Sequence, residues 1–391
     1  MNLSVLVYDD DGKYAKKYAD RLRKVKGSNY ELDVSEISPD RFRTQMQVVA
    51  LRQAALRENK KPDFSGTDFD QADIFVVDFD LIKTYPGSGF LTGEEVCYSI
   101  RCFSHCGLLV GLNQFGWNPF DLTLCGHPRS FADLNIGEKQ LDKAGLWSGK
   151  SEFRPWYWPD LPQYAQAFKW KIKDVLNNLD ASILTMLGLR EKIGTFPKET
   201  RNFLGPGLKA PKPKEFCLKS GNGLRPKDNR TTDEIVSRVT AARISKWLER
   251  LVLPGQDILV DAPHLVFRYP SLLKGNPEDL NTWNESVKFE DHTRLGIDHR
   301  AIEAFRFKKG EWLSRPAWLW NGVSNSKSVR EATELWTRKP TKYVFAENTS
   351  RFHRRQECTE FLANVDSPYV IRYIRNIPES DVDYTPRSNL L

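Results

Sequence analysis

The chain has 391 residues, 40% of them hydrophobic and 28% charged, which excludes a disordered tail and predicts two packed domains rather than one. No stretch approaches the ~20 uninterrupted apolar residues of a membrane span, and MNLSVLVYDDDGKY reaches acids too soon for a secretory leader, so a cytoplasmic protein with no membrane partner is expected. The net charge of +7 is uneven: residues 1–150 hold 19 Lys+Arg against 21 Asp+Glu, so the whole basic excess lies downstream, where it serves an acidic partner or simply a solvated face.

In chain order, Leu3–Tyr8 (LSVLVY) is a short apolar run stopped by Asp9, Asp10 and Asp11, and reads as a strand. Tyr14–Val25 carries apolar residues at helical spacing, and Tyr30–Ile37 alternates as a second strand. Pro39–Glu58 predicts a long helix through Phe42, Met46, Val49, Leu51 and Leu56. Ala72–Val77 (ADIFVV) is a buried-strand pattern stopped by Asp78, Gly93–Phe103 is helical, and Leu108–Leu112 is another strand. This alternation predicts a parallel sheet with helices on both faces.

Downstream the texture changes. Pro155–Pro162 (PWYWPDLP) is a stiff aromatic joint, and Gln163–Leu189 predicts one long helix. Residues 196–232 read as a Pro/Gly-rich loop with nine Lys+Arg against three Asp+Glu. Thr232 is placed to cap a helix over Asp233–Leu253, with Pro254-Gly255 as its stop, and Asp257–Asp261 and Lys342–Phe345 read as strands. The expected organisation is an α/β domain over 1–148, a helical connector over 149–195 and an α+β domain over 196–391.

In a doubly wound sheet the ligand site lies at the carboxyl ends of the strands. Asp9, Asp10 and Asp78 all fall at such ends, so the fold would gather three carboxylates at one rim. Like charges there raise one another's pKa unless a cation offsets them. A hard divalent ion such as Mg²⁺ answers that need and can neutralise a phosphoryl group arriving on a nucleophilic carboxylate.

The runs VLVYDDD and ADIFVVDFDL, with YPGSGFLTGEEVCYSIR after them, resemble the first strand, the phosphoacceptor strand and the following loop and helix of response-regulator receiver domains. The resemblance covers about 145 residues and implies a flavodoxin-like doubly wound parallel sheet, with a separate α+β output domain behind it. It implies Asp78 as phosphoacceptor, Asp9, Asp10 and Asp78 as Mg²⁺ ligands, Asp80 as a ligand through its carbonyl, and a histidine kinase or other protein as partner. Asn113 stands where the family carries a Thr or Ser that follows the phosphoryl group. Gly137 stands near the place of the family's phosphate-binding lysine, with Lys139 two positions later. The 69 positions from Asp9 to Asp78 exceed a compact receiver, which places an insertion within Pro39–Asp70. These departures keep a pseudo-receiver, with the fold and acidic pocket but no phosphorylation switch, as a competing expectation. For Asp11 and Asp80, ordinary turn roles are the simpler expectation.

Three other constellations carry chemistry. Cys102, His105 and Cys106, with Cys125 and His127 further on, are soft zinc donors, but the spacing matches no standard knuckle, and buried thiols on a helix with Cys97 explain the first group better. The chain's six cysteines contain no CxxC pair and predict free thiols. Asp261, His264 and Glu347, with Lys308 and Lys309, suggest a metal-dependent nuclease, though without an ordered acidic–lysine signature. Arg351, His353, Arg354 and Arg355 beside Phe352 offer phosphate contacts and stacking for nucleic acid; Trp312, Trp318, Trp320 and Trp336 are spaced as core residues instead. The function these observations predict is a signalling protein whose receiver-like domain governs a downstream effector. A nuclease effector and a non-enzymatic nucleic-acid- or protein-binding module are the alternatives.

Overall fold

The structure is a computed structural model that describes residues 2–27, 29–58, 60, 62–85, 91–113, 130–147, 161–189, 196–205, 209–218, 232–268, 304–313, 315–326, 343–346, 351–362, 365 and 370–375. The chain divides into two compact units, one formed by Met1–Lys150, Pro159–Leu189 and Arg201–Lys246, the other by Ser151–Trp158, Arg190–Thr200 and Trp247–Leu391.

In the first unit, β1 (Asn2–Tyr8), β2 (Glu31–Glu36), β3 (Ile74–Asp78), β4 (Leu108–Asn113) and β5 (Leu134–Gly137) make one parallel sheet in the order β2-β1-β3-β4-β5. The near-continuous apolar runs of β1, β3 and β4 have a direct cause: Val5, Val7, Ile74 and Val76 are as deeply buried as Leu6, Tyr8, Phe75 and Val77, so the sheet centre is covered on both faces. Helices flank it in a doubly wound α/β architecture. Leu6, Tyr8, Phe75, Val77 and Leu109 share one core with Phe42, Val49 and Leu56 of α2 (Pro39–Arg57) and Val96, Ile100 and Phe103 of α3 (Gly93–Phe103). Tyr8 stacks on Phe42 at 3.6 Å between centroids. Helix α1 (Gly12–Leu22) buries Ala15, Tyr18, Ala19 and Leu22, and ion pairs join its Lys17 and Arg21 to Glu138 and Asp142 after β5.

The helix starts follow capping chemistry. Asp11 Oδ1 accepts the Lys13 amide at 3.1 Å, so Asp11 caps α1. Ser38 and Pro39 open α2. Thr92 and Glu95 exchange side-chain and backbone hydrogen bonds in a capping box at α3. Thr92→Ala is expected to cost about 1 kcal/mol in urea unfolding, and an unchanged midpoint would remove the cap from the account. Gly93, the first residue of α3, has a packing reason: a Cβ there would lie 2.5 Å from the Asp78 carbonyl oxygen. Glycine lets α3 begin directly against the end of β3.

Two expectations need correction. The helix predicted over 163–189 is two helices, α5 (Leu161–Leu176) and α6 (Ile183–Met186), following the short α4 (Ala144–Trp147). Asn178 donates to the Asp174 carbonyl at 2.7 Å, competing with the helical ladder, and Ser182 then caps the new helix. The basic stretch 196–232, expected as loop, contains α7 (Lys198–Leu204) and α8 (Pro213–Leu218); Pro213 is suited to a first helical turn, and Phe216 and Cys217 are fully buried. Helix α9 (Asp233–Trp247) starts as predicted, with Thr232 Oγ1 accepting the Ile235 amide. It continues as a wider π-type turn to Val252 and stops after Gly255, where Gln256 takes the left-handed conformation.

In the second unit β6 (Leu259–Asp261) pairs antiparallel with β7 (Ala317–Leu319). Strands β8 (Tyr343–Ala346), β9 (Arg351–Arg354), β10 (Cys358–Leu362) and β11 (Ile371–Arg375) form a mixed sheet in the order β10-β11-β8-β9. Trp312 and Trp318 are fully buried, as their spacing suggested, whereas Trp320 is only half-buried; Trp336 lies outside the described residues. Among the described residues no helix is long and apolar enough to cross a membrane.

Candidate functional site

The parallel register sets Tyr8 beside Val77, so Asp9 and Asp78 end adjacent strands at the point where strand order reverses. The sheet thus brings together the first and third acidic strand ends. Asp9 is 3% exposed and Asp78 5%, both far below what an isolated carboxylate tolerates. Asp9 Oδ1 accepts the Asp11 amide at 2.8 Å, and Asp78 Oδ2 accepts the Asp80 amide at 3.2 Å. Burial, with the Asp9 charge next, pushes Asp78 up to about 8. Burial likewise pushes Asp9 up to about 6, with Asp10 and Asp11 adding to it, and burial raises half-buried Asp10.

Asp80 itself is exposed, and its backbone bridges to Thr92 ahead of α3. Asn113 ends β4, one residue beyond the Leu112 that pairs with Asp78, and is buried at that rim. Gly137 ends β5 opposite Asn113, and Lys139 is exposed in the turn that follows.

Sequence reasoning missed the segment that covers the rim. After β3 the chain turns back so that the Lys83 amide donates to Asp10 Oδ2 and Lys83 Nζ lies 3.3 Å from Asp11 Oδ2. Thr84 is fully buried, its hydroxyl 2.8 Å from the Tyr8 hydroxyl, and its carbonyl accepts from Arg43 at 3.0 Å. The one available signal was proximity: Lys83 stands five positions after Asp78.

In kind, the donors fit a hard divalent cation: carboxylates crowded at a dry strand edge, pushed above their ordinary range by burial and by one another. Among the described residues, however, no three His, Cys, Asp or Glu side chains stand in a metal-holding group. Cys97 and Cys102 on α3 and Cys106 beyond it are buried free thiols, and burial raises Cys97 and pushes Cys106 up to about 12; Cys125 and His127 lie outside the described residues.

The remaining candidates are placed as follows. Asp261 is buried between Arg372 (3.0 Å) and Arg315 (3.1 Å). Burial pushes His264 down to about 3, so it is neutral. Lys308 and Lys309 are described, whereas Glu347 lies outside the described residues. Arg354 and Arg355 are exposed, with Arg355 3.6 Å from Glu360 and His353 3.9 Å from Glu357; Arg351 belongs to β9. An open depression of about 560 Å³ lined by Phe64, Asp70, His105 and Glu234 includes none of Asp9, Asp10 and Asp78.

Fold and rim together define a first unit of parallel α/β architecture with an acidic cluster at the carboxyl edge of its central strands. No protein-family model, no curated protein and no solved structure matches the chain.

Proposed function

We propose that the first ~150 residues form a receiver-like signalling module with a flavodoxin-like sheet, in which Asp78 accepts a phosphoryl group and the modified rim governs an effector downstream. One observation carries the reading: Asp9 and Asp78 close neighbouring parallel strands at the reversal point of a β2-β1-β3-β4-β5 sheet, with Asp10 next to them. That strand order is the flavodoxin-like one, whose ligand crevice opens between β1 and β3.

On this reading Asp9, Asp10 and Asp78, with the Asp80 carbonyl, would hold Mg²⁺, which when bound supplies charge neutralisation for carboxylate and phosphoryl oxygens. The Asp78 carboxyl releases its proton to solvent and attacks through a carboxylate oxygen. Its new O–P bond forms as the donor's bond to phosphorus breaks, and the electron pair leaves with the donor's leaving group. Nothing is oxidised or reduced. The added charge at the strand edge would then bias the neighbouring loops, as phosphorylation does generally.

The test is incubation with Mg²⁺ and a small acyl phosphate, read by intact mass, for wild type and Asp78→Asn. A phosphoryl adduct is expected on wild type alone. If wild type gains none, and beryllofluoride leaves its melting temperature unmoved, the pseudo-receiver reading replaces this one; Asn113 and Gly137, in place of the family's hydroxyl residue and lysine, are what support that alternative.

A further inference from the structure

We infer that Lys83, rather than a lysine after β5, is the cation that meets the phosphoryl oxygens at the Asp78 rim, an assignment that rests on the phosphoacceptor reading above. The argument is a contrast between a fixed backbone and a loose side chain. The segment Leu81–Thr84 is tied down at both ends: Leu81 and Thr84 are fully buried, the Leu81 amide donates to the Leu91 carbonyl at 3.2 Å, and the Thr84 hydroxyl bonds Tyr8. Arg43 holds the Thr84 carbonyl, and the Lys83 amide is held by Asp10. The Lys83 Cα is therefore a fixed point beside the acids.

Its side chain is not fixed in the same way. It is 68% exposed, and its contact is an exposed pair with Asp11 at 3.3 Å. Such a pair contributes about 0–1 kcal/mol, so the ammonium leaves Asp11 at little cost. Asp11 already serves α1 through its other oxygen and needs no lysine for that role. The charge nevertheless reaches inward and acts on Asp9, Asp10 and Asp11 alike. The Lys83 ammonium itself hydrogen-bonds an acid of this rim, whereas Lys13 meets Asp11 through its backbone amide, Lys17 on α1 is engaged by Glu138 and Lys139 stands exposed after β5. A phosphoryl group on Asp78 would present three anionic oxygens toward the solvent side of the acids, where a four-carbon stem anchored at Lys83 delivers a point charge.

This role makes a prediction that a structural role does not. A resident cation repels an incoming divalent ion but attracts a phosphoryl group, so its removal moves the two affinities in opposite directions. Lys83→Ala is expected to tighten Mg²⁺ binding, measured by calorimetry on the full chain, about threefold. The same variant is expected to slow adduct formation from a small acyl phosphate about tenfold. Lys83→Arg keeps both values near wild type, and the exposed position leaves the melting temperature unchanged in both variants. If wild type forms the adduct and Lys83→Ala matches it in rate and Mg²⁺ affinity, the assignment of Lys83 fails while the phosphoacceptor reading stands. If the alanine variant loses rate and affinity together, a general disturbance is responsible and the assignment falls. Wild type that binds no Mg²⁺ and takes no phosphoryl group overturns the reading and this assignment with it.

Discussion

Asp78→Asn is expected to make the protein more stable, on the order of 3–5 kcal/mol at pH 8 without divalent cations. The reason is the burden of ionising a carboxylate that is 5% exposed beside Asp9. Its pKa is about 8 in the fold against 3.8 as its ordinary value. Between those values the native state keeps a proton that the unfolded state releases. Native binds more protons than unfolded, so unfolding free energy falls as pH rises from near 4 to near 8. Asp9, at about 6, contributes a slope of the same sign over the lower part of that window.

The asparagine variant lacks the Asp78 slope and also relieves Asp9 of its neighbour's charge. Urea midpoints for wild type and variant should therefore converge near pH 4 and separate toward pH 8. Added Mg²⁺ should narrow the gap by stabilising wild type alone. Equal midpoints at pH 8 would mean the two strand-end acids do not burden one another, and the rim would lose its claim to be a site.

Asp261→Ala is expected to have the opposite sign and similar size, a loss of about 3–5 kcal/mol in the second unit. Asp261 is 2% exposed and Arg372 3%, and both Arg372 and Arg315 direct guanidinium groups at the same carboxylate. Burial works to raise its pKa; Arg372 and Arg315 outweigh that and hold it below the ordinary carboxylate range. Truncating the acid leaves buried positive charge without its counter-ion, and that accounts for the cost. Unfolding followed through the fluorescence of buried Trp312 and Trp318 reads the effect. Because the folded pKa is lowered, the contribution is present above the ordinary carboxylate pKa and is lost as pH falls through the folded value. The same variant bears on the nuclease alternative. A metal ligand would be dispensable for folding and indispensable for metal-dependent loss of nucleic acid, whereas an ion-pair hub behaves the other way round.

Much of the first unit was readable because its signals are local. Apolar runs such as LSVLVY and ADIFVV end in aspartates, and Thr232 marks a helix start by capping, a short-range interaction; the caps at Ser38 and Thr92 are equally local but came from the structure. Parallel alternation then constrains where strand ends go, which is why the sequence alone places Asp9, Asp10 and Asp78 at one edge. The break between α5 and α6 was less visible, since Asn178 and Asp180 are compatible with a helix surface until their hydrogen bonds are seen. The helices within 196–218 were hidden by a composition rich in Pro, Gly and Lys, although Pro213 is placed as a helix opener.

By itself the sequence determined the order of strands and helices from β1 to β4, the acids at the ends of β1 and β3 and, among the described residues, the cysteines as thiols, because periodicity and burial of short apolar runs act between near neighbours. Tertiary structure alone decided that Lys83 returns to Asp10, 73 positions away, and that Arg372 meets Asp261 across 111 positions. It also decided that α3 begins against the Asp78 carbonyl through Gly93. Contacts of that range depend on how loops close and sheets order their strands, and no local pattern of residue types encodes that closure.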